Sequence, residues 1–327
     1  MTELKSSRAF DIIVVGHITI DQIKYGDGTR KEIGGSSAFA MVGPALGLKR
    51  VGVVARVGKD FPEPYMERLS SSGLDLEGLT QNNKTTHFTN IYNEQGDRRQ
   101  RVDSVANKLT KRDVPDSYWN TTWMHFSPVI GEVDSALISD AKEHGAKISV
   151  DVQGFVRTQK KEDTTIEGCD WEEFPKYAEM IEILKADTQE LCQLAQKSEF
   201  RQAANSIHQL GVHIILITRG YKGSYLSLRN GLHRIPIIPV KQVIDHTGSG
   251  DVFAISFLRE YETSNRPLWS AYFAATVASF NLESPGPTNF PSYEEVLHRL
   301  RAFLTLPKNR EHIELLLNEP GPGNCPI

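Results

Sequence analysis

The chain has 327 residues, 39% of them hydrophobic and 24% charged, the composition of a folded globular protein long enough for one large α/β domain with a small appendage. A formal charge of −4 gives no general pull toward nucleic acid or an anionic membrane, so neither is expected as a partner, and any phosphate must be met by backbone amides and a few placed side chains. No apolar run reaches the roughly 18 residues of a membrane helix, and the polar lead before Phe10 has no secretory pattern.

In chain order, β-branched apolar runs predict strands over 10–15, 51–57, 122–126, 147–152 and 213–218. Continuous runs of this kind suit strands covered on both faces. Between them, helical spacing predicts helices over 36–46, 134–144, 188–196 and 200–210, and later over 252–260, 267–283 and a last short one near 311–318. Strand and helix in alternation imply a mainly parallel central sheet with helices on both faces. Two stretches break the rhythm with alternating hydrophobicity. Residues 17–35 read as two short strands about Gly26-Asp27-Gly28, and residues 85–102 as a hairpin turning near Asn93–Asp97. Together they predict a small antiparallel sheet with one wet face, a lid inserted into a single domain spanning 1–327. Cys169, Cys192 and Cys325 are odd in number and widely spaced, which matches neither a zinc site nor a disulfide framework. Cys192 is expected to pack as a small apolar side chain, Cys325 lies in a Pro/Gly-rich tail, and a reducing cytoplasm is the expected setting.

The strongest chemical signal is Asp245-His246-Thr247-Gly248-Ser249-Gly250-Asp251, followed by an apolar helical pattern from Val252. The glycines permit a tight turn into a helix N-terminus, where free N–H groups and the helix dipole favour an anion. Asp251 in the first turn can accept a proton beside those donors. Taken alone, the same string also reads as a Gly-rich turn with an ordinary first-turn Asp.

This segment resembles the D-T-x-G-A-G-D signature of the PfkB, or ribokinase-like, carbohydrate kinases. His246 and Ser249 depart from it without removing a backbone donor. The resemblance implies Asp251 as catalytic base and Gly248, Ser249 and Gly250 as the anion hole. It extends over nearly the whole chain in order. Gly16–Asp21 resembles the family's first strand, implying that Asp21 binds acceptor hydroxyls. Gly34-Gly35-Ser36-Ser37 resembles the N-terminal signature, where paired glycines let the acceptor approach the backbone. Phe39 stands where many of the family's sugar kinases carry Asn, so core packing is expected of it. Asp187-Thr188-Gln189-Glu190 resembles the family's N-x-x-E motif, with Glu190 ordering magnesium through water, and the same four residues read as a helix capping box. Thr218, Gly220 and Gly223 resemble the nucleotide segment T-x-G-x-x-G, and Asp187 joins them.

The implied fold is a ribokinase-like three-layer α/β sandwich with the small β lid. The implied cofactors are ATP and Mg²⁺, with a monovalent cation possible and a homodimer through the lid as a possible assembly. The segments 128–134 and 151–157, with Gly34–Ala40 and the second hairpin, are similar to the inositol-kinase-like branch. A myo-inositol-like cyclitol or a sugar is therefore the expected acceptor, with Gln153 and Arg157 beside Asp21. Arg157 could bind a polyol, bind a phosphate on the substrate, or form a structural ion pair. The alternatives are a nucleoside or sugar-phosphate kinase of the same family, and a kinase-shaped regulatory protein without activity. A dinucleotide oxidoreductase lacks its G-x-G-x-x-G after the first strand.

Overall fold

The computed structural model describes residues 8–25, 28–92, 98–160 and 162–321. The expected turn over 93–97, Gly26-Asp27 and the Cys325 tail lie outside the described residues. In chain order the strands are β1 (Phe10–Val15), β2 (Thr19–Tyr25), β3 (Gly28–Gly34), β4 (Val51–Gly58), β5 (Leu74–Asp75), β6 (Leu79–Asn82), β7 (Thr86–Tyr92), β8 (Arg98–Ser104), β9 (Thr121–Phe126), β10 (Lys147–Asp151), β11 (Arg157–Gln159), β12 (Ile166–Gly168), β13 (Ile181–Asp187), β14 (Ile214–Thr218), β15 (Ser224–Leu228) and β16 (Gly231–Ile235).

The central sheet runs β16-β15-β14-β13-β10-β9-β1-β4, with β5 and β6 both pairing with β4. It is parallel from β14 to β5 and β6, and antiparallel only where β15 and β16 close one edge as a hairpin. The continuous apolar runs follow from burial on both sides. Along β1, Ile12 and Val14 enter one core and Ile13 and Val15 the other. The first core is closed by helices Ser249–Ser264, Pro267–Asn281 and Tyr293–Leu304, through Phe257, Trp269, Phe273 and Leu300. The second is closed by Ala136–Glu143, Thr188–Ala195 and Phe200–Gln209, through Ile138, Leu191 and Ile207. This is the expected three-layer α/β sandwich, and the five expected strands appear within a residue of their predicted ends. Cys192 packs against the second core, as expected.

Several features differ from the sequence reading: the helices Glu63–Ser71 and Tyr293–Leu304 and the short strands β5, β6, β11 and β12 were not expected, and three further differences bear on the site. Strand β13 was not expected because Glu182 and Lys185 interrupt its apolar run; Lys185 is nevertheless buried there. The hairpin β15–β16 was not expected either, since its strands mix Ser, His and Arg with the apolar residues. The single helix over 36–46 is instead two short helical segments, Ser36–Phe39 and Val42–Ala45. Gly43 and Pro44 lie in its expected interior, and the bonds Met41 N–Ala38 O and Gly43 N–Ala40 O are of the tighter i to i−3 kind.

The two hairpins of the lid form as expected, β2 with β3 and β7 with β8, each antiparallel. They join into one four-stranded sheet, β3-β2-β7-β8, through a parallel pairing of β2 with β7 that sets Asp21 opposite Phe88. Phe88 and Val102 pack on Val129 and Ile130 of the loop after β9. The outer side carries exposed Thr29, Lys31, Arg99 and Arg101, the wet face foreseen from the alternation.

Candidate active site

Parallel strands deliver the residues at their ends to one edge of the sheet. Here Asp151 ends β10, Asp187 ends β13 and Thr218 ends β14, and the register places Asp151 opposite Lys185 and Asp187 opposite Thr218. A cavity of about 460 Å³ opens along this edge. Its polar side is built from Gln153, Arg157, Lys185, Asp187, Glu190 and the turn 248–251; its other side is apolar, with Ile237, Ile238, Val240, Val243, Ala275 and Leu282. Thr218, Gly220 and Gly223 line it as well. The residues expected for the nucleotide, magnesium and anion hole, from Asp187 to Gly250, are thereby brought together.

The turn into helix Ser249–Ser264 is held from three sides. Asp245 accepts from the Thr247 amide at 2.9 Å, Asn281 Nδ2 donates to the Thr247 carbonyl at 2.9 Å, and Arg30 from β3 of the lid donates to Asp245. Gly248 is left-handed, with φ 74°, and a Cβ there would stand 2.0 Å from Phe39 Cζ. Phe39 is fully buried beneath the turn, so it packs in the core, as expected of it. Among the described residues the amides of Gly248, Gly250 and Asp251 form no backbone hydrogen bond. They are the orphan donors of a helix start, and their residues line the cavity.

Asp251 is half-buried in the first turn. Burial pushes its carboxyl up to about 7; the Lys185 ammonium works against this, Asp151 adds to it, the Ser36 hydroxyl lowers it and Asp21 raises it. That chain of effects brings Asp21 into the same neighbourhood. Asp21 itself is buried, accepts from Thr19 Oγ1 at 2.8 Å, and lies so close beneath Gly34 that a Cβ there would come within 2.7 Å of its Oδ2. Gly35 follows and opens the short helix that carries Ser36. The expected acceptor residues Asp21, Gly34 and Gly35 thus border Asp251 from the lid side, outside the cavity lining, while Gln153 and Arg157 belong to the cavity itself.

Asp187 and Glu190 form the capping box read from the sequence: Asp187 accepts from the Gln189 and Glu190 amides at 2.7 and 2.8 Å, and its own amide donates to Glu190 at 2.8 Å. Glu190 is buried, and its other oxygen takes Arg157 Nη2 at 2.8 Å. Burial raises the Glu190 carboxyl, while Lys185 and Arg157 lower it. Of the three roles open to Arg157, the ion pair is the one present.

The sequence reading missed Lys185 and Asp151 as site residues. Lys185 Nζ donates to Asp151 at 2.7 Å, both side chains being buried. The available signal was a lysine two positions before the acidic motif, at the carboxyl end of a strand. Also missed were Ser36 beside Asp251 and Arg30, whose lid position is only related to Asp245 by the fold.

Residues 9–294 match the profile described as pfkB family carbohydrate kinase. Among curated proteins, the chain is 31% identical over 265 residues to a cytidine kinase of Thermococcus kodakarensis, covering 79% of this chain and 90% of that one. It is 25% identical over 315 residues to a nucleoside kinase of Methanothermobacter thermautotrophicus, covering 89% and 96%. Among solved structures, Arabidopsis thaliana ribokinase complexed with ribose and ATP superposes with TM-score 0.72 at 21% identity, over 90% of this chain and 99% of that one. A pyrophosphate-dependent kinase of the ribokinase family, complexed with a pyrophosphate analog and myo-inositol, superposes with TM-score 0.75 at 23% identity, over 88% and 99%. At these identities the two structures speak for the fold alone. The family profile and the sequence relatives speak for more: the chain belongs to the pfkB family of carbohydrate kinases, as a kinase of sugars or nucleosides.

Proposed function

We propose that the chain transfers the γ-phosphoryl group of a nucleoside triphosphate such as ATP to a hydroxyl on the sugar of a nucleoside, with Asp251 as general base. The observation that carries this reading is the place of Asp251 on the cavity wall, in the first turn of a helix whose free amides belong to the same lining; burial pushes its carboxyl up to about 7. A base is most effective with a pKa close to the working pH. The acceptor oxygen attacks the γ-phosphorus, and its proton passes to Asp251. The bond from phosphorus to the leaving oxygen breaks, and that electron pair departs with the nucleoside diphosphate. The free amides of Gly248 and Gly250 would meet the charge on the moving group, while that of Ser249, expected to join them, donates to the His246 carbonyl at 3.4 Å and would have to leave it.

The apolar half of the cavity supports a nucleotide donor, since Ile237, Val243 and Leu282 suit a base and offer nothing to bare pyrophosphate. Asp187, Thr218, Gly220 and Gly223 would contact the donor on the polar side. Mg²⁺ fits as an ion brought by the phosphates: among the described residues no three His, Cys, Asp or Glu side chains could hold a metal by themselves. Mg²⁺ keeps several waters, and Glu190 could reach it through one. When bound it supplies charge neutralisation to the phosphates.

On the acceptor side, Asp21 would bind a pair of sugar hydroxyls, with Gly34 and Gly35 leaving room for close approach and Gln153 and Arg157 at the border. Its register partner Phe88 puts an aromatic ring on the same lid face, and the likeness to a cytidine kinase supports a nucleoside there. The myo-inositol-like acceptor expected from the sequence is the competing reading. The lid, segments 17–35 and 85–102 of one kinase unit, would close over the acceptor from a hinge near Gly34-Gly35 and exclude water. A homodimer through the lid would bring together outer faces carrying Lys31, Arg99 and Arg101; light scattering at low and high salt checks it. No helix among the described residues is long and apolar enough to cross a membrane, and we place the enzyme in the cytoplasm.

The test is nucleotide consumption by the purified protein with ATP, ADP or pyrophosphate as donor, against cytidine, adenosine, ribose, myo-inositol and sugar phosphates. Highest kcat/KM with ATP and a nucleoside is expected. Preference for myo-inositol would replace the acceptor, preference for pyrophosphate would replace the donor, and no transfer to any of them would remove the reading.

A further inference from the structure

The cavity lining contains two permanently cationic side chains, Arg157 and Lys185. Arg157 is drawn to the Glu190 end of the cavity, at 2.8 Å from that carboxylate. Lys185 also lies within reach of the Glu190 charge and stands against the turn that opens helix Ser249–Ser264: a Cβ on Gly250 would lie 3.0 Å from Lys185 Nζ. The ammonium is buried and donates to Asp151 at 2.7 Å. Each ammonium has three N–H groups, and among the described residues only this one bond is made. Two donors therefore remain at the cavity wall, beside the orphan amides of the same turn. A buried ammonium with most of its hydrogen-bonding capacity unused is costly unless an anion completes it.

We propose that Lys185 is a further catalytic residue, the cation that meets the transferred phosphoryl group at the Gly250 amide. Asp151, opposite Lys185 in the register of β10 and β13, is its positioning residue. This rests on the reading of Asp251 as base and adds to it. As the acceptor oxygen bonds to phosphorus and the leaving oxygen departs, the equatorial oxygens keep their negative charge, and the ammonium stays fixed beside them throughout. The same charge faces Asp251, together with the carboxylates of Asp151 and Asp21, so Lys185 also keeps the base ionised at lower pH than burial alone would allow.

The experiment compares Lys185→Met, Lys185→Arg and Asp251→Asn by steady-state kinetics and by the pH profile of kcat/KM. Lys185→Met should lower kcat by about 10²-fold, in the range seen when one donor to a developing oxyanion is removed, with the acceptor KM changed by no more than about threefold. The acid limb of its profile should move to higher pH, because the charge that lowers Asp251 is gone. Lys185→Arg should recover part of the rate. Should Lys185→Met fail to fold with Asp151 left unpaired, the pair Asp151→Asn and Lys185→Met removes both charges and is read by kcat alone, because the two charges move Asp251 in opposite directions. An unchanged kcat in Lys185→Met, or a lower kcat with the acid limb unmoved, overturns the proposal. If Asp251→Asn abolishes turnover in that case, the base survives and only the lysine falls. Near-normal turnover in Asp251→Asn removes the base itself.

Discussion

The proposed donor side and acceptor side of this site are built on different foundations. The donor side sits on the carboxyl edge of a sheet packed between two large apolar cores, in which side chains such as Trp123, Trp269, Phe257 and Phe126 are fully buried. The acceptor side depends on a four-stranded lid: Ile20 and Ile33 tie its β2–β3 half into the first core, and Phe88 and Val102 of the β7–β8 half form a small cluster with Val129 and Ile130. At about 1.5–3 kcal/mol for each large apolar side chain buried, that cluster of four holds the β7–β8 half far more weakly than the two main cores hold the central sheet. Phosphate geometry can thus stay fixed while the lid adjusts to the acceptor. Local opening draws on such weakly packed elements. Substitutions on the donor side should accordingly change kcat, and those on the lid should change the acceptor KM.

The largest effect is expected at Asp251. Asp251→Asn should lower kcat by about 10²-fold or more, with nucleotide binding measured calorimetrically unchanged. The same variant should melt higher than wild type at pH 8. Burial raises the folded carboxyl from 3.8 to about 7. The folded state therefore binds the proton more tightly than the unfolded chain, and wild type loses stability as pH rises between those values. The gap in Tm between the two should close as pH falls below that window. Equal melting at pH 8 would mean that the carboxylate is better solvated than its surroundings indicate.

Next comes the turn. Gly248→Ala should inactivate the enzyme and cost about 1–3 kcal/mol of stability, since a non-glycine residue is strained at this φ and its Cβ meets the Phe39 ring. Chemical denaturation with activity on the same sample reads both. Wild-type stability in this variant would show that the ring can yield.

On the lid, Asp21→Ala should raise the acceptor KM by a factor equivalent to about 2–3 kcal/mol in kcat/KM, because hydroxyls that lose a buried charged partner are poorly bound. The nucleotide KM should stay within about twofold. A change in the nucleotide KM alone would erase the division between the two sides.

The smallest effect is expected where lid and turn touch. Arg30 is about a third exposed while Asp245 is buried. Their pair is worth at most about 1 kcal/mol at an exposed edge, and Asp245 keeps the Thr247 amide without it. Arg30→Gln should lower acceptor kcat/KM no more than about threefold, a difference that fades at high salt. A tenfold loss would make this contact a coupling between lid closure and the anion hole.

Much of this molecule could be read before it was seen. The apolar runs at 10–15 and 51–57, the capping box at Asp187 and Glu190, and the glycine turn before Asp251 are local patterns. Each is decided by residues within a few positions of one another, through strand burial, helix-end hydrogen bonding and backbone freedom. The lid hairpins were legible for the same reason. What remained hidden depends on residues far apart in the chain. The parallel joining of β2 to β7, the partner of Arg157, the reach of Arg30 to Asp245, and Phe39 under Gly248 all arise from how finished elements pack. Lys185 shows the division most clearly. In sequence it interrupts an apolar run and conceals a strand, because an isolated charge argues against burial. Only the neighbouring strand supplies Asp151, and a buried ammonium becomes tolerable once a carboxylate 34 positions away in sequence is held 2.7 Å from it.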